Sequence, residues 1–187
     1  MADLRKQLRQ CLQGRVCLMA LGNTDYGDDA FGVRLGESLM RLGWQNVVLA
    51  GTMPERLLGR VANDGYDHVV FLDAVEFGGA PGSVVFLSAD EMGARFPQVS
   101  THKLSLGLLA KWVEASGKTK AWLLGVQPES LKCASVLTPT MQRTLKALRE
   151  LLCEMFVPSR RREEADSAKT EPVRLPTSAA ASPEAIA

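Results

Sequence analysis

The stretch Ala20 to Gly32, ALGNTDYGDDAFG, sets three acids, Asp25, Asp28 and Asp29, in a glycine-rich turn directly after an apolar run. Turns at that place in an α/β chain commonly bind phosphate through backbone N–H groups and the positive end of the next helix. Acids there repel a phosphate, so the turn either caps and solvates a helix start or faces a cation. Further along, Asp73 closes the run HVVFLDA, His102 stands in VSTHKLSL, and Glu55 and Glu129 follow prolines. Two carboxylates and an imidazole at neighbouring strand ends form an oxygen/nitrogen set for a divalent transition metal, with coordination positions left open for substrate or water. Without a metal, the same acids make a pair for general acid/base work, since close carboxylates push one pKa upward. Both readings stand at this point.

Each residue also has an ordinary structural reading. Asp28 or Asp29 at a helix start is favoured by capping and the helix dipole alone, and Asp28→Asn is expected to be mild. Asp73 could serve a turn, His102 a cap, and His68 a strand start; Glu76 in a glycine-rich link is expected to be solvated. Competing motifs are absent: the glycines after the first run fall at Gly22, Gly27 and Gly32 rather than in G-x-G-x-x-G, and there is no P-loop lysine, H-E-x-x-H or G-x-S-x-G. Ser105 and Thr101 near His102 do not make a convincing nucleophile. Cys11, Cys17, Cys133 and Cys153 lie far apart without a C-x-x-C pair, which argues against a thiolate zinc site; they read as small core hydrophobes.

Five short runs rich in branched residues and bounded by Gly, Pro, Asp or Asn read as buried strands: 15–21, 46–51, 68–74, 83–88 and 120–126. Helical patterns lie between them, at 29–42, 54–63 and 103–115, and the N-terminus reads as a short amphipathic helix. A last helix starts with Thr138 as N-cap and Pro139 at its first position, with Met141, Leu145, Leu148 and Leu152 on one face. The alternation implies a single three-layer α/β domain, a mostly parallel sheet with helices on both faces. Only VEFGGAPG separates the third and fourth strands, too little for a crossover helix, so those two are expected to be antiparallel neighbours. The domain is expected to span 1–157. Residues 158–187 are charged, then rich in Pro, Ala and Ser, and are expected to be a disordered tail.

At 187 residues, with 46% hydrophobic and 23% charged residues, the composition is that of a globular domain with a sizeable core. A formal net charge of +1 gives no footprint for nucleic acid, and no run is long and apolar enough to suggest a membrane span. The N-terminus has no apolar signal core, so the expected location is the cytoplasm.

Taken in order, GNTDYGDDAFG, GTMPE, LDAVEFGGAPG, STHKLSL and LLGVQPES resemble the hydrogenase maturation endopeptidases of the nickel-iron hydrogenase system, over about 15–156. The resemblance implies a twisted five-stranded sheet with one antiparallel strand. It also implies an enzyme, expected to be a monomer, that removes a short C-terminal extension from the hydrogenase large-subunit precursor after nickel insertion. Its metal-contacting residues carry over onto Asp29, Asp73 and His102, with Asp29 or Asp73 as the catalytic carboxylate. The nickel is expected to arrive with the substrate, which accounts for acids where a lysine would be out of place. Two departures stand out: Ala30, where the family commonly has glycine, and Asp25, where it has an apolar residue. A non-catalytic maturation chaperone and a metabolite-binding α/β module are the alternative classes.

Overall fold

All five apolar runs are strands in the computed structural model, which describes residues 2–95, 105–115 and 117–155. They are β1 (Val16–Leu21), β2 (Val47–Gly51), β3 (His68–Ala74), β4 (Val84–Ser88) and β5 (Lys120–Val126). The helices are α1 (Ala2–Cys11), α2 (Phe31–Arg41), α3 (Glu55–Asn63), α4 (Ala89–Arg95), α5 (Leu106–Glu114) and α6 (Pro139–Met155), with a 3-10 turn over Gly27–Ala30 ahead of α2. His102 and the tail 158–187 lie outside the described residues, as does the expected boundary at Val157.

The sheet runs in the order β2-β1-β3-β5-β4, with β4 alone antiparallel. The expected antiparallel strand is therefore present, but its neighbour is β5, not β3: Val84 pairs with Val126 and Ser88 with Trp122. The link between β3 and β4 needs no helix to pass one strand, because two strand spacings are only about 10 Å and a few extended residues cover that.

Right-handed connections explain the layers. The chain steps from β1 to β2 in one direction and from β2 back to β3 in the other, so α2 and α3 cover opposite faces. Cys17, Met19, Val69, Phe71 and Leu123 face the layer of α3, α4 and α5, where Leu58, Met92, Leu106 and Leu109 are fully buried against them. On the other face α2 lies so close that a Cβ at Gly36 would stand 2.8 Å from that of Ala20.

Local chemistry sets the helix ends. Thr138 caps α6 as expected, its hydroxyl accepting the Met141 N–H at 3.4 Å, and Ser105 caps α5 in the same way toward Leu108. The short α4 has no expected counterpart, yet Ser88 and Glu91 close a reciprocal capping box around its start, with Glu91 accepting the Ser88 N–H at 2.8 Å. Those bonds from Ser88 hold the Glu91 carboxyl below its ordinary value.

Of the four cysteines, all free, only Cys17 is a core residue; Cys133 is exposed and the other two are half-buried. Burial, with Asp64 adding to it, pushes the Cys17 thiol up to about 12. A thiolate-directed alkylating reagent should therefore label Cys133 and spare Cys17 in the native chain, as read by peptide mass. Labelling of Cys17 at a matching rate would contradict that packing.

Candidate active site

In this strand order the chain reverses direction between β1 and β3, and an open α/β sheet has its crevice at the carboxyl ends of the strands flanking such a reversal. The two acids that could do chemistry lie there. Asp29 sits in the 3-10 turn that follows β1, and Asp73 is the penultimate residue of β3. Both are buried, at 5% and 2% exposure, where a carboxylate is costly unless its surroundings stabilise it. One oxygen of Asp29 accepts the Asn23 N–H at 3.0 Å, tying the carboxylate back across its own loop.

Two glycines bring the acids together. Gly22, with φ +122, lets the chain leave β1 so tightly that a Cβ there would lie 1.8 Å from the Asp29 carbonyl oxygen. Gly32 seats the first turn of α2 on the ends of both strands, for its Cβ would lie 2.0 Å from the Leu72 carbonyl oxygen and 2.4 Å from that of Leu21. The backbone next to Asp73 is thus in direct contact with the first turn of α2, directly after the turn that carries Asp29. Ala30 has φ −71 and ψ −3, a conformation open to any L-residue, so the departure from glycine there costs nothing. Asp25 is exposed; its N–H donates to the Asn23 side-chain oxygen, and its carbonyl accepts the Ala134 N–H.

Asp28 corrects an expectation. It neither lies in solvent nor caps its own turn: it is fully buried and its carboxylate accepts four hydrogen bonds. Oδ2 receives the N–H groups of Glu129 and Ser130, each at 3.0 Å, and the Thr138 hydroxyl at 3.1 Å. Oδ1 receives the Thr138 N–H at 2.7 Å. Charge-assisted bonds of this kind are about twice as strong as neutral ones, so Asp28→Asn is now expected to be more than a mild change.

The other polar candidates fall away from the acids' chemistry. Glu129 and Glu76 are exposed and Glu55 is half-buried in the first turn of α3. His68 starts β3, at the opposite end of the strand from Asp73, and its Nδ1 accepts the Trp122 indole N–H at 3.0 Å; burial lowers its pKa. Among the described residues no group of three or more His, Cys, Asp or Glu could hold a metal ion. By strand alternation Asp73 shares the sheet face of Val69 and Phe71, the face that α5 covers. A role for Gln127 was not legible beforehand: at 9% exposure, its side-chain oxygen accepts the N–H groups of Phe77 at 2.8 Å and Gly79 at 3.2 Å. The available signal was a polar residue set between an apolar strand and a proline.

The model of the hydrogenase maturation protease family matches residues 33–155. The hydrogenase 2 maturation protease of Escherichia coli (strain K12) is 33% identical over 150 residues, covering 75% of this chain and 90% of its own. This chain belongs to the hydrogenase maturation protease family. Among solved structures, the NiFe hydrogenase maturation protease HycI from Thermococcus kodakarensis KOD1 superposes with a TM-score of 0.72 at 30% identity, covering 81% of this chain and 99% of that one. The E. coli hydrogenase maturating endopeptidase HybD follows at a TM-score of 0.65 and 30% identity, covering 76% and 92%. The protease is accordingly a peptide hydrolase with the single-domain α/β fold of its relatives. No described helix of the protease is long and apolar enough to cross a membrane.

Proposed function

We propose that this maturation protease cleaves the C-terminal extension from a nickel-iron hydrogenase large-subunit precursor, with Asp29, Asp73 and His102 facing nickel that the precursor itself carries. The observation that supports this most is the burial of two carboxylates at the β1/β3 reversal, on strand ends that Gly32 lets the first turn of α2 touch closely. Acids there suit an arriving cation and disfavour a phosphate ligand. One imidazole and two hard oxygens bind nickel less firmly than a set containing thiolates, so the metal stays with the substrate and serves as the recognition signal.

In the reaction, a carboxylate, Asp29 or Asp73, takes a proton from water as it attacks the scissile carbonyl carbon. The C–N bond then breaks, and the same carboxyl returns the proton to the departing amine. The protease acts as a monomer in the cytoplasm, and its free thiols suit a reducing compartment.

A crossed mixing experiment tests the reading, with the mass of the large subunit as readout. Chelator-stripped protease should cleave nickel-loaded precursor, and metal-treated protease should leave nickel-free precursor intact. Cleavage confined to the second mixture would mean a self-sufficient metalloprotease and overturn the substrate-borne metal. Stable binding of loaded precursor without cleavage would favour a chaperone.

A further inference from the structure

Of the motifs along the chain, LGVQPES has no part in the chemistry so far, although its backbone lies beside both loops that carry the acids. We infer that the segment Gln127–Ser130 is a clamp that sets the two carboxylate-bearing loops relative to each other, with Asp28 and Gln127 as its positioning residues. This rests on the reading of Asp29 and Asp73 as the acting carboxylates.

The clamp has two arms. The first holds the turn of Asp29: the adjacent Asp28 carboxylate draws in the backbone N–H groups of Glu129 and Ser130 and both donors of Thr138. The same loops are stitched once more where the Gly27 N–H meets the Ala134 carbonyl at 2.8 Å. The second arm holds the loop that leaves Asp73. There the Gln127 side-chain oxygen accepts from Phe77 and Gly79, while its backbone N–H donates to the Ser83 carbonyl and its carbonyl accepts from Gly82, both at 2.9 Å. The Val75 N–H, two residues past Asp73, donates to the Val126 carbonyl at 2.9 Å.

One short piece of chain after β5 therefore fastens the loop after β1 and the loop after β3, with Asp28 adjacent to Asp29 and Phe77 four residues from Asp73. The donors on Asp28 explain why a carboxylate is needed. Asparagine has one oxygen, so whichever way its amide turns, an N–H faces an N–H donor. Small displacements of a reacting group are expensive: a shift of about 1 Å can cost roughly a hundredfold in rate.

The test measures precursor cleavage by Asp28→Asn, Gln127→Met and Gln127→Glu, at a temperature where melts show all of them folded. Met keeps the length of Gln127 and lacks the acceptor; Glu keeps it. Asp28→Asn and Gln127→Met should lose about ten- to a hundredfold in kcat with KM changed by less than about twofold, and Gln127→Glu should stay near the parent. The amide resonance of Asn23, whose N–H bonds to the Asp29 carboxylate, should shift in Asp28→Asn. Parental kcat in Asp28→Asn and Gln127→Met would overturn the clamp, as would a loss confined to KM or one that merely tracks the folded fraction. Asp29→Asn and Asp73→Asn are measured alongside. If they cleave at the parental rate, it is the reading of the site that fails, and the Asn23 resonance then decides the clamp: a shift supports it and an unmoved signal refutes it.

Discussion

Asp29→Asn and Asp73→Asn should each reduce precursor cleavage by about 10²- to 10⁴-fold, the usual worth of a positioned proton-transfer group, with little change in folding. Both side chains are buried at the β1/β3 reversal, and Asn matches Asp in shape. The amide oxygen at position 29 can still accept the Asn23 N–H. What is lost is the charge and the basic oxygen. A melting temperature within about 4 °C of the parent corresponds to roughly 1 kcal/mol for a domain of this size, and removing a buried charge offsets part of any lost hydrogen bond. His102→Ala belongs in the same series, since it shares the proposed metal-facing role. Parental rates in all three variants would reject the site assignment.

Gly32→Ala should have a large effect on stability. Its Cβ would lie 2.0 Å and 2.4 Å from two backbone carbonyl oxygens, at the ends of β3 and β1, and neither can rotate away as a side-chain tip could. The start of α2 has to lift off the sheet, an overpacking cost of about 3 kcal/mol or more, which lowers the melt by about 10 °C. Cleavage should fall further than the folded fraction, because the lifted element continues directly from the turn of Asp29. Gly59→Ala is the matched control: no atom lies within 4 Å of its added Cβ, in the middle of α3. It should hold or raise the melt by up to about 1 kcal/mol. Equal melts for Gly32→Ala and the parent would show that the close approach at the β1/β3 ends is not real.

Much of the architecture was legible because its causes are local. Apolar runs such as VVFL and VCLMA are too branched and too short for helices, and Thr138-Pro139 announces a helix start through the hydroxyl cap and the missing N–H. These signals place all five strands, α2, α3 and the start of α6 to within a residue or two, while the helix expected over 103–115 is α5, which begins at Leu106 behind its Ser105 cap. The helix with no expected counterpart, α4, carried a legible cue in Ser88 and Glu91, but its apolar positions are too few to show a period. The acids at strand ends were legible for the same reason, as polar residues terminating apolar runs.

Strand order and the division of labour among neighbouring acids were decided only by the tertiary structure. The link 75–83 serves equally well for a β3/β4 hairpin or for a step over β5; what selects the latter is the pairing of β5 with β3 along its whole length and with β4 over Trp122–Val126, a long-range sum that no local window contains. Asp28 and Asp29 are adjacent and identical in type, and nothing local separates them. The separation comes from donors 101 and 110 positions away, at Glu129 and Thr138, which reach Asp28 only once β5 and α6 are in place. Gln127 is set by the same kind of contact, a span of 50 residues to Phe77. The sequence by itself determined the elements other than α4, the family pattern and the acids at the strand ends, since hydrophobic period and capping act within a few residues. Only the folded chain determined which of the two adjacent acids is tied to the loop after β5 and to the start of α6, because hydrogen bonds between distant loops exist only after the sheet has brought those loops together.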